Sequence, residues 1–553
     1  MDTENKRAAS FNAAPETEDC STSDEGGTGA KEKGEIKRDL KSRHINMIAI
    51  AGLIGTGLFL SSGNVIATAG PAGALLAYIV MGIVAAGVSY TTGEITAFMP
   101  HTGGFVRHAT KFVEPALGAA TGWNFWYTNA ISVPAEISAA ATLIQYWNWW
   151  VSPAVWITAF MVFIIALNFC GVRLYGESEF FFGTLKIMLI LALIIGGLVI
   201  DLGGAPNHER LGFRFWYSPG AFNEYIETGR AGHFLAFWKV LLTAAFGYGN
   251  IQVVAISGSE TQNPRQIIPA ATKKTFYRVF CFYVLSILIV GMVVPFDDPN
   301  LTISTGTAQQ SPFVIAFVRA GVSVMPSIIN AVVCTSAISS GSAGVFVSSR
   351  ILYGLSRDGQ APAILQRCNR FGTPYYAVAL TCSLLPLVYL NVGNNTATVF
   401  GWFVNITTVA GLIGWIVIET TYIRFHAGLK AQGYSRDDLP YRSPCQPYAS
   451  WATLFVVILV VFFSGFDVFV DGRFTATGFL TCYLNIFIFA AFYIFFKFFL
   501  KSKVVPLAEI DFKSEFELIR QEKEEAELYE TPTEEKQHTN PWIARLKKVI
   551  HTI

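Results

Sequence analysis

The run from Ile48 to Leu60 reads Ile-Ala-Ile-Ala-Gly-Leu-Ile-Gly-Thr-Gly-Leu-Phe-Leu, and its chemistry lies in its backbone. It is as apolar as a membrane helix, yet Gly52, Gly55 and Gly57 crowd its middle. Each Gly costs a helix interior about 1 kcal/mol relative to Ala. The cluster therefore marks a place where the helix can unwind and leave backbone N–H groups unpaired, the other reading being a small-residue face for close helix packing. In hydrocarbon such groups persist only where they line a cavity or meet a ligand. Amides at a helix break attract an anion such as a carboxylate. A second break, Phe246-Gly-Tyr-Gly-Asn250, interrupts a later apolar segment. Two interrupted helices in corresponding positions of two halves point to the binding site of a transporter.

Three charged side chains lie inside apolar segments. Lys186 stands in Gly-Thr-Leu-Lys-Ile-Met, Glu136 follows Pro134, and Glu94 follows Gly93. An ionisable group within a membrane is costly and marks a functional site by default. Lys186 reads as a buried functional lysine or as one that snorkels to an interface. Glu136 reads as a proton relay, as a partner for Lys186, or as a structural hydrogen-bonding group. Glu94 reads as a structural or gating ion-pair residue. Lys239 reads as an interfacial anchor on the extracellular side, with interaction with an acidic substrate as the alternative. Ser336, Ser339 and Ser340 either line a site near Lys186 or bond back to their own helix. No Walker motif, HExxH or nucleophile elbow occurs, so nothing here points to an enzyme or to ATP drive.

These groups need a bilayer-spanning scaffold, and composition supplies it. The chain has 553 residues, of which 52% are hydrophobic and 14% charged, against about 25% charged in soluble proteins. Mean hydropathy is +0.43. Many apolar runs exceed the roughly 18 residues needed to cross a bilayer. The reading is an all-α polytopic membrane protein with about twelve spans. A net charge of +1 implies no nucleic-acid partner. The 8 Cys are scattered without a CxxC pair, so neither a disulfide framework nor a metal site is expected.

Residues 1–44 read as a disordered N-terminal tail without an apolar signal-peptide core, 45–500 as the transmembrane domain, and 501–553 as a charged C-terminal tail. The loop 202–235 reads as polar and extracellular, and the apolar piece near 312–322 as an interfacial helix. Lys and Arg cluster in alternate loops, among them Arg107, Lys111, Arg265, Lys273, Arg357, Arg424 and Arg436. Cytoplasmic loops retain such residues, which places both termini in the cytoplasm.

The ordered motifs then carry a resemblance. They are Gly52-Leu-Ile-Gly-Thr-Gly-Leu-Phe59, Gly93-Glu94 with Pro100-His-Thr-Gly-Gly-Phe105, Pro134-Ala-Glu-Ile-Ser138, and Tyr175-Gly-Glu-Ser-Glu-Phe180 with Lys186. Glu260-Thr-Gln-Asn-Pro-Arg265, Ser349-Arg350, Tyr422-Ile-Arg424 and Leu439-Pro-Tyr-Arg-Ser-Pro444 follow. Over about residues 37–500 the chain resembles the fungal amino acid permeases of the amino acid–polyamine–organocation superfamily. The resemblance implies a LeuT-like 5+5 inverted repeat with broken helices 1 and 6, plus two further helices. It also implies proton-coupled uptake of free L-amino acids across the plasma membrane, driven by the proton gradient without a cofactor.

On that resemblance, Ile54, Gly55, Thr56 and Gly57 hold the substrate carboxylate. Phe246, Gly247, Gly249, Asn250 and Gln252 form the second half of the site, with Phe246 covering the bound amino acid. Lys186 takes the place that sodium occupies in sodium-coupled relatives, and Glu136 joins it in proton coupling. The sequence departs from the family at two positions. Many relatives have a small residue at Asn250 and a Glu at Gln252. Gln252 does not titrate, which keeps open an exchanger or uniporter without proton coupling. A non-transporting amino-acid sensor is the other alternative, although such relatives carry longer cytoplasmic extensions. Membrane lipids are the expected surroundings. Lys6, Lys31, Lys33 and Lys37 suit a ubiquitin ligase or its adaptor, and Trp542–Ile550 suits a short membrane-surface helix.

Overall fold

The computed structural model describes residues 55–100, 103–147, 150–169, 172–253, 264–302, 311–369, 372–393, 396–470 and 472–529. Ile54, the N-terminal tail and Trp542–Ile550 lie outside them. The described chain is helical: α1 (Thr56–Phe59), α2 (Ser61–Phe98), α3 (Phe105–Phe112), α4 (Pro115–Ile144), α5 (Pro153–Phe169), α6 (Val172–Asp201), α7 (Gly229–Gly247) and α8 (Pro264–Val293). After these come α9 (Pro312–Arg319), α10 (Met325–Arg357), α11 (Tyr375–Cys382), α12 (Thr396–Ala431), α13 (Tyr448–Phe463), α14 (Ala476–Phe499) and α15 (Lys513–Tyr529).

Among the described residues, 7 helices are long and apolar enough to cross a membrane, and α5 and α13 are shorter apolar helices. The chain is a multi-pass membrane protein. Helix α4 is equally long but carries Asn124, Thr128, Asn129 and Ser132 inward. The central bundle pairs α10 with α4 and α8 with α2, while α12 lies on α4 and α7 on α2. Large apolar side chains such as Ile195 on α6 and Phe498 on α14 point outward, as they must where lipid is the solvent.

One glycine shapes the outer corner of the bundle. Gly70 adopts φ +73° and separates two helical stretches inside α2. A Cβ there would lie 2.8 Å from the carbonyl oxygen of Ala221. The freed backbone is satisfied by the long loop: Ala72 N–H donates to Ala221 O at 2.9 Å and Asn223 N–H to Ala69 O at 3.2 Å. The loop expected to be merely polar is thus a backbone partner for a helix break.

Two further elements differ from expectation. In α9, Pro312 to Phe317 are buried; Ser311 Oγ donates to Phe59 O at 2.9 Å, and Phe313 meets the Phe59 ring edge-on at 6.2 Å. The helix packs against the C-terminal end of α1, and protein covers its apolar face. Lys239 is an ion-pair partner of Asp467 at 2.7 Å, and Tyr225 donates to the same carboxylate at 2.9 Å.

Residues 501–529 return to the face that carries Arg107, Lys111, Arg424 and Arg436, called here the basic face. Val505 N–H donates to Val113 O at 2.9 Å. Arg424 donates to Phe112 O at 3.0 Å, and Gln432 Nε2 to Ile510 O at 2.7 Å. Phe512 is fully buried among Phe98, Phe112 and Phe425. Lys111 pairs with Glu515 at 3.3 Å, and Arg265 with Glu522 at 2.7 Å. The segment thereby links α2, α3, α8 and α12. Truncating a buried Phe costs about 3–5 kcal/mol. Phe512→Ala is therefore expected to lower the melting temperature of the detergent-solubilised protein clearly; a melting curve that overlays wild type would refute the anchoring role.

Candidate functional site

The two breaks meet at the centre of the bundle. Gly55 is extended (φ −136°, ψ −157°) and caps the four-residue α1. The first N–H groups of a helix have no partner in a preceding turn and carry the positive end of its dipole. Helix α7 stops at Gly247. Beyond it, Tyr248 N–H still reaches Ala245 O at 3.0 Å and Gly249 N–H reaches Phe246 O at 3.1 Å. Asn250 then takes φ +64°, a left-handed conformation that Asn tolerates better than most residues.

A Cβ on Gly57 would sit 3.0 Å from Phe246 Cδ1 and 3.1 Å from Gly247 Cα. The absence of a side chain at Gly57 is what lets the two broken backbones touch. Tyr78 Oη donates to Gly57 O at 3.2 Å, and Tyr248 Oη to Tyr78 O at 3.0 Å. Tyr78 on α2 and Tyr248 just beyond α7 thus tie both breaks to α2.

A cavity of about 110 Å³ opens between them. Gly55, Gly57, Phe246, Gly247, Gly249 and Asn250 line it from the breaks. Thr128, Asn129, Ser132 and Glu136 line it from α4; Ser340, Ala343 and Gly344 from α10; Thr407, Thr408, Gly411 and Trp415 from α12. Positive amide ends on one side and helix-terminal carbonyls on the other suit a small zwitterion.

Behind α1 lies a buried polar cluster. Lys186 is 0% exposed and donates to Ser340 Oγ at 3.1 Å. Ser339 Oγ donates to Glu179 Oε2 at 2.8 Å. Lys186 lies within electrostatic reach of both Glu179 and Glu136. A Cβ on Gly55 would be 3.2 Å from Glu136 Oε1 and 3.3 Å from Ser340 Oγ, so the α1 break abuts this cluster directly. Lys186 therefore does not snorkel. Two of the three candidate serines belong to the cluster; Ser336 is buried without a hydrogen-bond partner.

Glu94 lies apart from the cavity. It accepts from Arg436 Nη2 at 2.8 Å and Nε at 3.1 Å. It also accepts from Tyr422 Oη at 2.9 Å, Ser443 N–H at 2.7 Å and the Ser443 hydroxyl. This pins the loop after α12 to α2. Gln252 is buried and does not line the cavity directly; its Oε1 accepts from Trp415 Nε1 at 3.2 Å, holding a cavity wall. Sequence reasoning passed over Glu179 and Trp415. Glu179 stands two helical turns before Lys186, on the same face, so the spacing carried that signal. Trp415 carried none, since its role depends on a partner 163 residues away.

With fold and site described, the arrangement defines a membrane carrier: a central cavity between two broken helices, buried in a helical bundle. A family model described as Amino acid permease matches residues 44–508. A proline-specific permease from Emericella nidulans is 42% identical over 469 residues, covering 84% of this chain and 85% of that relative. A dicarboxylic amino acid permease from Saccharomyces cerevisiae is 38% identical, covering 93% and 85%. A lysine-specific permease from the same yeast is 38% identical, covering 88% and 79%. The crystal structure of an Eremococcus coleocola manganese transporter aligns with a TM-score of 0.53 at 11% identity, covering 85% of this chain and 98% of that one, which shows the shared fold alone. The chain belongs to the fungal amino acid permease family, and is a transporter of amino acids and not an enzyme.

Overpacking a tight site by one methyl group costs about 1–3 kcal/mol. Gly57→Ala is therefore expected to raise the KM for amino-acid uptake roughly tenfold or more. Uptake kinetics normalised to surface-exposed protein test this, and an unchanged KM would remove Gly57 from the site.

Proposed function

We propose that this protein imports free L-amino acids across the plasma membrane together with protons, by alternating access, with the basic face in the cytoplasm. The observation that carries this reading is Lys186: buried, fixed by Ser340, close to Glu136 and Glu179, and directly behind the α1 break. A carrier needs a charge that the substrate site can sense. Protonation of this cluster favours one access state and substrate favours the other, each through differential affinity. The substrate carboxylate binds the Gly55–Gly57 amides, and the ammonium binds carbonyls at the end of α7, under Phe246. The side chain faces α4, α10 and α12. The named relatives differ in the substrate their names give, from proline to dicarboxylic amino acids to lysine, so their shared feature is the zwitterion and not the side chain.

A second reading has one observation in its favour. Gln252 is neutral and engaged by Trp415, which suits an exchanger or uniporter. Uptake of a labelled amino-acid panel in permease-deficient fungal cells, with and without a protonophore, separates the two. Concentrative uptake that the protonophore abolishes supports the symporter; protonophore-insensitive equilibration supports the second reading. No transport despite surface expression supports a sensor. Lys tails at the N-terminus suit ubiquitin-directed removal from the surface.

The cluster makes a sharper forecast. Lys186→Met keeps most of the side-chain volume and loses the charge. Accumulation against a gradient is expected to fall to equilibration, with surface expression retained; preserved concentrative uptake would sink the coupling role of Lys186.

A further inference from the structure

Glu419 is a second carboxyl inside the bundle, remote in sequence from Lys186 and unused by the site described above. It lies on α12 and is 0% exposed. Its Oε1 accepts from the Thr91 hydroxyl on α2 at 3.1 Å. The Ser450 hydroxyl at the start of α13 lies against the same group. Its Oε2 has no hydrogen-bond partner, and no ion pair engages Glu419, among the described residues. An ionised carboxyl without a counter-charge is expensive in this setting, and the neutral acid is the cheaper form to bury.

The position of Glu419 gives this group a direction. Trp415, a wall of the cavity, is one helical turn before it on α12, and Tyr422 one turn after, each turn advancing about 5.4 Å. Thr91 and Glu94 are likewise one turn apart on α2. Three polar layers therefore descend along α12, the lower two against α2. The first is Trp415 with Gln252 at the cavity. The second is Glu419 with Thr91. The third is Tyr422, Arg436 and Ser443 around Glu94, at the basic face.

The middle layer suits both protonation states. The Thr91 hydroxyl can donate to a carboxylate. It can also accept from the acid while donating to Val88 O at 2.9 Å or Gly87 O at 3.0 Å. Other titratable groups on the packed elements are engaged elsewhere. Glu94 is held by Arg436. His426, further along α12, has Arg436 and Lys430 as its cationic neighbours. On α3, His108 binds Met99 O and Lys111 binds Glu515. On the α4 side, Glu114 holds Lys497 and Glu136 faces Lys186. The α7 break contributes neutral Gln252.

We propose that Glu419 is a proton-binding residue of the transport cycle, lying between the substrate cavity and the basic face and releasing its proton toward the Glu94 layer. Proton binding at Glu419 then accompanies substrate, and release toward the cytoplasm resets the carrier. This rests on the proton-coupled reading, and it adds a carrier group on the exit side of the cavity, distinct from the Lys186 cluster.

The test is Glu419→Gln in the full chain, expressed in permease-deficient fungal cells. Gln still accepts from Thr91 but does not titrate. Three readouts use the labelled amino acid that the panel ranks first: accumulation, substrate-elicited proton influx, and counterflow from preloaded cells. The expected result is loss of accumulation and of proton influx, with counterflow at the wild-type rate. Retained proton influx at the wild-type proton-to-substrate ratio overturns the proposal. Loss of all three readouts at normal surface level also overturns it, since that marks a structural role. Wild-type transport without proton influx refutes the coupled reading itself and is seen before any variant is made. If Glu419→Gln does not reach the surface, Thr91→Val decides. It leaves the carboxyl but removes its partner, and a move in the pH of half-maximal uptake by roughly one unit is expected; an unchanged pH profile overturns the proposal.

Discussion

Everything in this molecule depends on the rule that backbone polar groups in hydrocarbon must find partners inside the protein. Two helices break that rule near the same point, and the fold is arranged around making the violation tolerable. Gly57 and Gly247 let the two breaks approach until backbone meets backbone. Tyr78 Oη takes up the Gly57 carbonyl at the first break, and Tyr248, just beyond α7, is tied to α2 through the Tyr78 carbonyl. The groups left over face a cavity. The same logic recurs at Gly70, where the outer loop supplies the missing partners.

Buried charge obeys a parallel constraint and is handled in two ways. Glu94 is saturated: a guanidinium, a phenol, a hydroxyl and an amide consume its oxygens. Such a group holds structure, because removing any partner leaves an uncompensated charge. Lys186 and its two carboxylate neighbours are buried as well, but they abut the α1 break in addition to Ser339 and Ser340 on α10. The two buried charges thus differ in surroundings: one is wedged between a helix and a loop, the other lies beside a broken backbone.

Much of this was legible in the sequence. Glycines inside apolar runs disclosed both breaks, and single charges inside apolar runs disclosed Lys186, Glu136 and Glu94. What was not legible depends on contacts between distant segments. The hexapeptide Pro312–Phe317 is apolar throughout, and no periodicity distinguishes a protein-covered helix from a lipid-facing one. Lys239 reads as an anchor until Asp467, 228 residues later, is brought beside it. Gln252 is adjacent to the second break in sequence, but its side chain supports Trp415 instead of facing the cavity. Sequence reasoning passed over Glu419, although it stands alone in an apolar run, and its meaning came only from the layers above and below it.

The segment around Phe512 has a consequence for biosynthesis. It follows the last long apolar helix among the described residues, so a ribosome delivers it only after the described spans have been made. Until it arrives, Phe98, Phe112 and Phe425 present an open greasy socket on the basic face. A segment made after the described spans is therefore their stopper. Nascent chains that stall before this point display a feature by which holding chaperones and degradation machinery can tell an unfinished carrier from a finished one.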